Sequence, residues 1–195
     1  MTVTGLVLAA GSSNRLGRPK QLLPFRGRTL LDASLELARA CPFDQLLVTL
    51  GAAAGDVRDQ VDLAGVEVVE SPAPTAGCSS SIVAALAHVD EAADGLVLLL
   101  GDQPGVTVAA VEALLREGAR SPLAVIRYDD GVGHPVWVRR DVFAELATLH
   151  GDKAVWKLVG SGRFPVTEVR MAGPVPLDVD TEEDYEALLA GERVS

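Results

Sequence analysis

The stretch Gly5-Leu6-Val7-Leu8-Ala9-Ala10-Gly11-Ser12-Ser13-Asn14-Arg15-Leu16-Gly17-Arg18-Pro19-Lys20 decides how the rest of the chain is read. Its apolar first part, near the start of the chain, reads as a strand buried on both faces, as in a parallel sheet. The part that follows holds two glycines, two serines, two arginines and a lysine. Small residues let backbone N–H groups close on an anion, and Arg15 and Lys20 bring charge that neutralises phosphate. The strand therefore ends in a phosphate-binding loop, and the loop is neither of the two common nucleotide loops. The ATPase loop needs Gly-Lys followed by Ser or Thr, whereas Lys20 lies between Pro19 and Gln21. The dinucleotide fingerprint Gly-x-Gly-x-x-Gly has no match after Ala10.

Outward from this loop, apolar runs alternate with helix-like segments. Leu30 to Cys41 carries Leu31, Leu35 and Ala38 at helical spacing and is closed by Pro42, a helix signature. Strands are expected at Gln45–Leu50, Val66–Val69, Gly95–Leu100, Leu123–Ile126, Pro135–Val138 and Val166–Met171. Helices are expected at Ala54–Leu63, Ser79–Val89, Val106–Arg120, Asp141–Thr148, Ala154–Val159 and Thr181–Leu189, the last capped by Thr181. Gly95–Leu100 is the most uniformly apolar run and reads as a central strand. Such alternation builds βαβ units. The expected fold is an α/β class, three-layer α/β/α sandwich with a mostly parallel, Rossmann-like sheet, one domain over residues 1–195, with ligands at the carboxyl ends of the strands.

Composition narrows the function classes. The chain has 195 residues, 48% hydrophobic and 23% charged, with a formal net charge of −10. An acidic balance argues against nucleic acid, whose backbone is bound by displacing counterions with a basic surface. It leaves room for a small triphosphate, which needs only a local cluster such as Arg15, Arg18 and Lys20 with a bound metal. No apolar run approaches the roughly 18 residues of a membrane span, and no positive n-region precedes the first apolar run. The expectation is a cytoplasmic protein with no membrane and no nucleic-acid partner. Cys41 and Cys78 suggest neither a disulfide scaffold nor a zinc site.

Several further residues are candidates for chemistry. Asp102 follows the expected central strand in Leu100-Gly101-Asp102-Gln103-Pro104, at the sheet edge where ligands bind, and magnesium takes one or two carboxylates plus phosphate oxygens. Alone, such a Gly-Asp also reads as a turn. In Pro176-Leu177-Asp178-Val179-Asp180-Thr181, an extended chain would put Asp178 and Asp180 on one face. Like charges so close suggest a shared cation, and helix capping is the other reading of Asp180 and Thr181. Ser79, Ser80 and Ser81, after Gly77 and Cys78, would open a helix and offer hydroxyls and free N–H groups to a nucleotide. His134 and Pro135 lie in the glycine-rich Gly131-Val132-Gly133-His134-Pro135-Val136.

The string from Leu8 to Pro24 resembles the signature of nucleotidyltransferases that move a nucleoside monophosphate from a nucleoside triphosphate, and is most similar to their molybdenum cofactor cytidylyltransferase branch. Gly101-Asp102-Gln103-Pro104 resembles that family's metal motif. Asp178 to Asp184 resembles its late acidic element, and Gly77 to Ser81 its Gly-Met-Ser-Ser-Ser segment with Cys78 in place of Met. Gly131 to Val136 resembles the segment lining the acceptor pocket, and Gly151-Asp152-Lys153 a turn near it. The resemblance implies the nucleotide-diphospho-sugar transferase type of fold and transfer of CMP from CTP to a phosphate-bearing acceptor, molybdopterin, with release of pyrophosphate. It implies magnesium, or manganese in its place, held by Asp102 with Asp178 or Asp180. Arg15 and Lys20 would be catalytic. Leu8, Ala9, Ala10, Gly11, Ser12, Ser13, Lys20, Gly77, Ser79, Ser80 and Ser81 would bind the nucleotide, and His134 and Pro135 the acceptor. Ala10, where the guanylyl branch has Gly, points to a pyrimidine donor. Gly105 stands where the family has a larger apolar residue. An apo molybdenum hydroxylase is the implied downstream partner. The alternatives are a GTP donor, another acceptor (methylerythritol phosphate, phosphoenolpyruvate or phospholactate), or a silent cofactor-delivery chaperone.

Overall fold

The computed structural model describes residues 1–13, 15–71, 78–151 and 153–192. In chain order its elements are β1 (Val3–Ala9), a small hairpin of β2 (Pro24–Phe25) and β3 (Arg28–Thr29), α1 (Leu30–Ala40), β4 (Gln45–Leu50), α2 (Ala54–Gln60), β5 (Glu67–Glu70), α3 (Cys78–Leu86) and β6 (Gly95–Leu100). Then follow α4 (Val108–Ala113), β7 (Leu123–Arg127), β8 (Val132–Arg139), α5 (Phe143–Leu146), α6 (Ala154–Val159), β9 (Val166–Arg170) and α7 (Glu182–Glu192).

Among the described residues, seven strands share one sheet in the order β5-β4-β1-β6-β8-β7-β9. β1 pairs in parallel with β4 and β6, Leu8 lying opposite both Thr49 and Leu100. β6 is the middle strand, as its continuous apolar run requires, because period-two alternation sends its side chains into both layers. Val97 and Leu99 pack with Leu31, Leu35 and Ala38 of α1 and with Val111 of α4. Leu96 and Leu98 pack with Ile82 and Ala85 of α3 and with Leu158 of α6. Each such buried Val or Leu contributes roughly 1.5–3 kcal/mol, so the three-layer α/β/α sandwich rests on two cores that share the sheet. The three-layer sandwich and the mostly parallel sheet are as expected.

Three local differences from the sequence reading have physical causes. The helix expected to run to Arg120 is α-helical only to Ala113 and continues as a π-turn over Leu114–Gly118; Gly118 presses against Ala124 of β7, where a side chain would collide. β8 is longer than Pro135–Val138 and runs antiparallel to β6 and β7. A proline inside a buried strand breaks a ladder, and this one sits where neither neighbour needs it. Pairing with β6 ends at Leu98–Val136, and pairing with β7 skips from Val125–Val136 to Ile126–Gly133. The β2–β3 hairpin carries no strong apolar pattern. It is fixed by a third cluster, in which Phe25, Leu23 and Leu30 meet Val179 and Tyr185 of the C-terminal segment.

Gly101 fastens the end of β6 to its surroundings. Its N–H donates to Leu8 O at 2.9 Å, and its carbonyl accepts from Ser34 Oγ at 3.2 Å. A Cβ there would lie 2.9 Å from Ala9 Cβ, 3.1 Å from Leu31 Cδ1 and 3.3 Å from Leu8 O. Gly101→Ala is therefore expected to destabilise the protein by about 1–3 kcal/mol through overpacking, read as a lowered midpoint in thermal or urea unfolding. An unchanged midpoint would show that β1 and α1 can give way here.

Candidate active site

The first loop leaves the carboxyl end of β1 and folds back on itself. Ser13, with φ of 52°, accepts Leu16 N–H and Gly17 N–H on its carbonyl, each at 3.1 Å, while its hydroxyl accepts Lys20 N–H at 2.9 Å. Gly17 takes φ of 65°, a conformation in which glycine meets no Cβ penalty. From below, the buried amide of Gln21 donates to Ala9 O at 2.6 Å and to Gly11 O at 3.1 Å. The loop's path is thus set by its own side chains. It borders a cleft of about 370 Å³ lined by Gly11, Ser12, Ser13, Arg18 and Gln21 on one side and by Ala52, Ala53 and Asp56 on the other.

Lys20 returns across the loop, its Cε 3.5 Å from where a Cβ on Gly11 would lie. Its ammonium bonds to Asp102 Oδ2, and to Asp180 Oδ1 at 2.8 Å. Arg15 takes the other oxygen of Asp180 at 2.7 Å, and Arg18 reaches Glu182 at 2.8 Å. Burial works against the Lys20 charge, yet Asp102 first and then Asp180 outweigh it, so its pKa is raised. The hydrogen bond from Lys20 keeps Asp180 below the usual carboxylate range.

Two carboxylate-bearing segments meet at this ammonium. One is the turn after β6. The other is the irregular strap 174–180, tied down by Val179 N–H donating to Asp102 O at 3.1 Å and by Gln103 Nε2 donating to Pro176 O at 2.6 Å. Val179 is fully buried, and its neighbours Asp178 and Asp180 face outward, as the period-two reading requires. Asp178 is pushed up to about 6 by packing and then by the charges of Asp102 and Asp180, against the pull of Lys20. After the strap, Asp184 accepts from the N–H groups of Asp180 and Thr181, and Thr181 Oγ1 accepts Asp184 N–H at 3.2 Å. Both readings of this segment coexist: Thr181 caps α7 while Asp180 faces the loop. Among the described residues, no group of three or more His, Cys, Asp or Glu side chains is arranged to hold a metal ion; Lys20 lies between Asp102 and Asp180.

The structure thus brings Arg15, Lys20, Asp102 and Asp180 into one ion-paired cluster, with Asp178 beside it. Gly11, Ser12 and Ser13 face the neighbouring cleft, while Ala9 and Ala10 are buried under the loop and Leu8 packs into the α3 layer. Gly77 lies outside the described residues, as do Asn14 and Asp152. Ser79 and Ser81 are buried rather than open at the start of α3. Ser79 Oγ accepts Gly151 N–H at 2.9 Å, tying α3 to the turn before α6, and Ser80 Oγ meets Ser71 Oγ at 3.2 Å. His134 is 7% exposed, Pro135 is buried, and the peptide bond between them is cis. His134 stands edge-on to Trp156 at 5.3 Å, and its carbonyl accepts from Tyr128 Oη at 2.8 Å. His134, which the sequence places in a glycine-rich segment, is an interior residue because β8 extends through that segment.

Sequence reasoning passed over the β4–α2 turn and the two glutamines. The turn had a signal: β4 is the parallel neighbour of β1, Ala9 opposite Leu50, so Ala52 and Ala53 must follow at the same sheet edge. The glutamines had none, since their role lies in which carbonyls they meet.

The chain belongs to the family of the MobA-like NTP transferase domain, whose model matches residues 5–166. It is thus a member of a nucleotidyltransferase family. It is 35% identical over 161 residues to nicotine blue oxidoreductase from Paenarthrobacter nicotinovorans, covering 77% of this chain and 78% of that protein. It is 25% identical over 185 residues to the molybdenum cofactor cytidylyltransferase of Escherichia coli (strain K12), covering 92% of each. The crystal structure of Rv0371c in complex with manganese from Mycobacterium tuberculosis H37Rv superposes with a TM-score of 0.87 at 52% identity, over 97% of this chain and 99% of that one. Among the described residues, no helix is long and apolar enough to cross a membrane.

Burial pushes the His134 imidazole down to about 4, against an unfolded value near 6.5. Below about pH 6.5 the unfolded chain takes up a proton that the folded chain refuses, so this residue's effect is to remove stability as pH falls from about 6.5 to 4. His134→Gln is expected to unfold with a shallower loss of melting temperature between pH 7 and 4.5 than the parent. Parallel curves would mean that His134 is protonated in the folded state.

Proposed function

We propose that this protein transfers CMP from CTP to a small phosphate-bearing acceptor, molybdopterin, and releases pyrophosphate. The observation that carries the reading is the Lys20 ammonium bonded to Asp102 and Asp180 beside the cleft of Gly11, Ser12 and Ser13. Cations and carboxylates that neutralise each other here suit a substrate that brings both charges at once. A triphosphate takes the cations and its divalent ion takes the carboxylates. The donor set fits magnesium or manganese, which prefer hard oxygen ligands. Burial first, and then the charges of Asp102 and Asp180, raise the Asp178 carboxyl, so a cation bound beside it would favour its ionised form.

In this reading Asp102, with Asp178 or Asp180, would hold the ion, which supplies neutralisation of phosphate charge when bound. Backbone N–H groups of Ala10 to Ser13 hold the triphosphate. Lys20 and Arg15 leave their aspartates for the α-phosphate and the departing pyrophosphate. A terminal phosphate oxygen of the acceptor attacks the α-phosphorus, and the bond to the bridging oxygen of pyrophosphate breaks. Such transfers rely on positioning and charge more than on covalent help. His134 and Pro135 are buried, so acceptor contact there passes through their neighbours or through a neutral imidazole. The name of the Paenarthrobacter relative describes an oxidoreductase; paired cations and carboxylates beside a glycine-rich loop favour phosphate chemistry, and that reading is retained. The manganese in the mycobacterial relative and the cytidylyltransferase among the relatives agree with it, as does Ala10. A handover of product to an apo molybdenum hydroxylase in the cytoplasm follows from the acceptor.

The test is a panel of nucleoside triphosphates, each with and without magnesium, read as a thermal shift. Ligand at 100 times its dissociation constant adds about 2.7 kcal/mol of stability. CTP is expected to give the largest magnesium-dependent shift, and Asp102→Asn to remove its magnesium dependence. A larger shift with GTP would overturn the cytidylyl reading. A shift in Asp102→Asn with its magnesium dependence intact would move the metal elsewhere.

A further inference from the structure

We propose that Gln103 is a positioning residue for the divalent cation: its side chain fixes the strap carrying Asp178 and Asp180 at the distance from Asp102 that a shared ion requires. The inference rests on the reading of Asp102 and the late aspartates as the ion's holders.

The strap 174–180 has no helix or strand of its own to hold it. Its alignment with the turn after β6 comes from Val179 N–H on Asp102 O at 3.1 Å and from Gln103 Nε2 on Pro176 O at 2.6 Å. Gly105 adds a close approach, since a Cβ there would lie 3.3 Å from Pro176 Cβ. The Gln103 amide can stand only one way round. Pro176 O accepts and cannot donate, so the nitrogen must face it. That choice leaves Gln103 Oε1 buried with no hydrogen-bond partner among the described residues, in a side chain 2% exposed.

An unsatisfied buried oxygen lowers stability, whereas an apolar side chain of the same shape would not. Removing the amide would relieve that oxygen and at the same time strip Pro176 O of its donor, so folding alone gives little preference for glutamine at position 103, and its bond is valued for what it aligns. It acts one peptide from Asp102 and two residues before Asp178, between the segments whose carboxylates meet at Lys20. Partners that orient metal ligands typically change metal affinity or activity by about 10–100-fold when removed.

The experiment titrates the intact protein with Mn²⁺ alone, following the free ion by electron paramagnetic resonance, alongside thermal melts. Gln103→Met and Gln103→Leu are expected to melt within about 3 °C of the parent or above it. Both should bind Mn²⁺ at least about tenfold more weakly, and need correspondingly more magnesium for half-maximal turnover. Unchanged Mn²⁺ affinity in either variant overturns the proposal. So does a large fall in melting temperature in both, which would make Gln103 a stability residue. Asp102→Asn separates the two levels: if it too leaves Mn²⁺ binding unchanged, the metal reading itself has failed, and if it alone weakens binding, only the role of Gln103 has.

Discussion

One ammonium group organises the carboxyl edge of the sheet. Lys20 Nζ bonds to Asp102 and Asp180, and Asp180 also holds Arg15. These partners come from three stretches of chain, the last of them 160 residues beyond Lys20. With Lys20 and Asp102 both largely shielded, their attraction is less screened than that of the exposed pairs elsewhere on the surface. The arrangement fixes the first loop, the turn after the central strand and the C-terminal strap in one geometry without any ligand. It also means that neither half of a metal–nucleotide complex meets bare charge. In the proposed reading, substrate binding exchanges one set of ion pairs for another.

The supporting parts serve this exchange in different ways. Gln21 and Ser13 set the path of the loop through backbone atoms, leaving its cations to the charge network. Val179, fully buried against Leu23, Phe25 and Tyr185, is the apolar pin between two outward aspartates. A strap anchored by one buried side chain, by its two hydrogen bonds to the turn after β6 and by Val175 N–H on Asp130 Oδ1 at 2.7 Å can hold carboxylates in place with little chain. The β2–β3 hairpin belongs to the same device, since Tyr185 Oη donates to Pro24 O at 2.5 Å and couples it to α7.

Much of this was legible in the residues. The apolar runs at Gly5–Ala10 and Gly95–Leu100 read as strands because a strand covered by helices on both faces buries every side chain. Asp102 could be placed at the ligand edge for the same reason. The alternation Asp178-Val179-Asp180 survived in an irregular segment because Val179 has a core to enter. What escaped depends on long-range fit. His134 reads as part of a glycine-rich turn and the strand is expected only from Pro135, yet β8 begins at Val132, since the two ladders skip His134 and Pro135 and burial of Val136 to Val138 carries the strand. Ser79 and Ser81 read as open hydroxyls, but the turn at Gly151, more than seventy residues on, covers the start of α3. The roles of Gln21 and Gln103 reside in the carbonyls they meet, which no local pattern encodes.

The central claim is that the Lys20 ammonium stands in for a divalent cation until substrate arrives. It is tested most directly by the Mn²⁺ affinity of Lys20→Met, measured without nucleotide. The account predicts that this variant binds Mn²⁺ more tightly than the parent, because its aspartates have lost the cation that competes for them. Weaker or unchanged binding would contradict it, and would make Lys20 a partner of these carboxylates without being a rival of the ion.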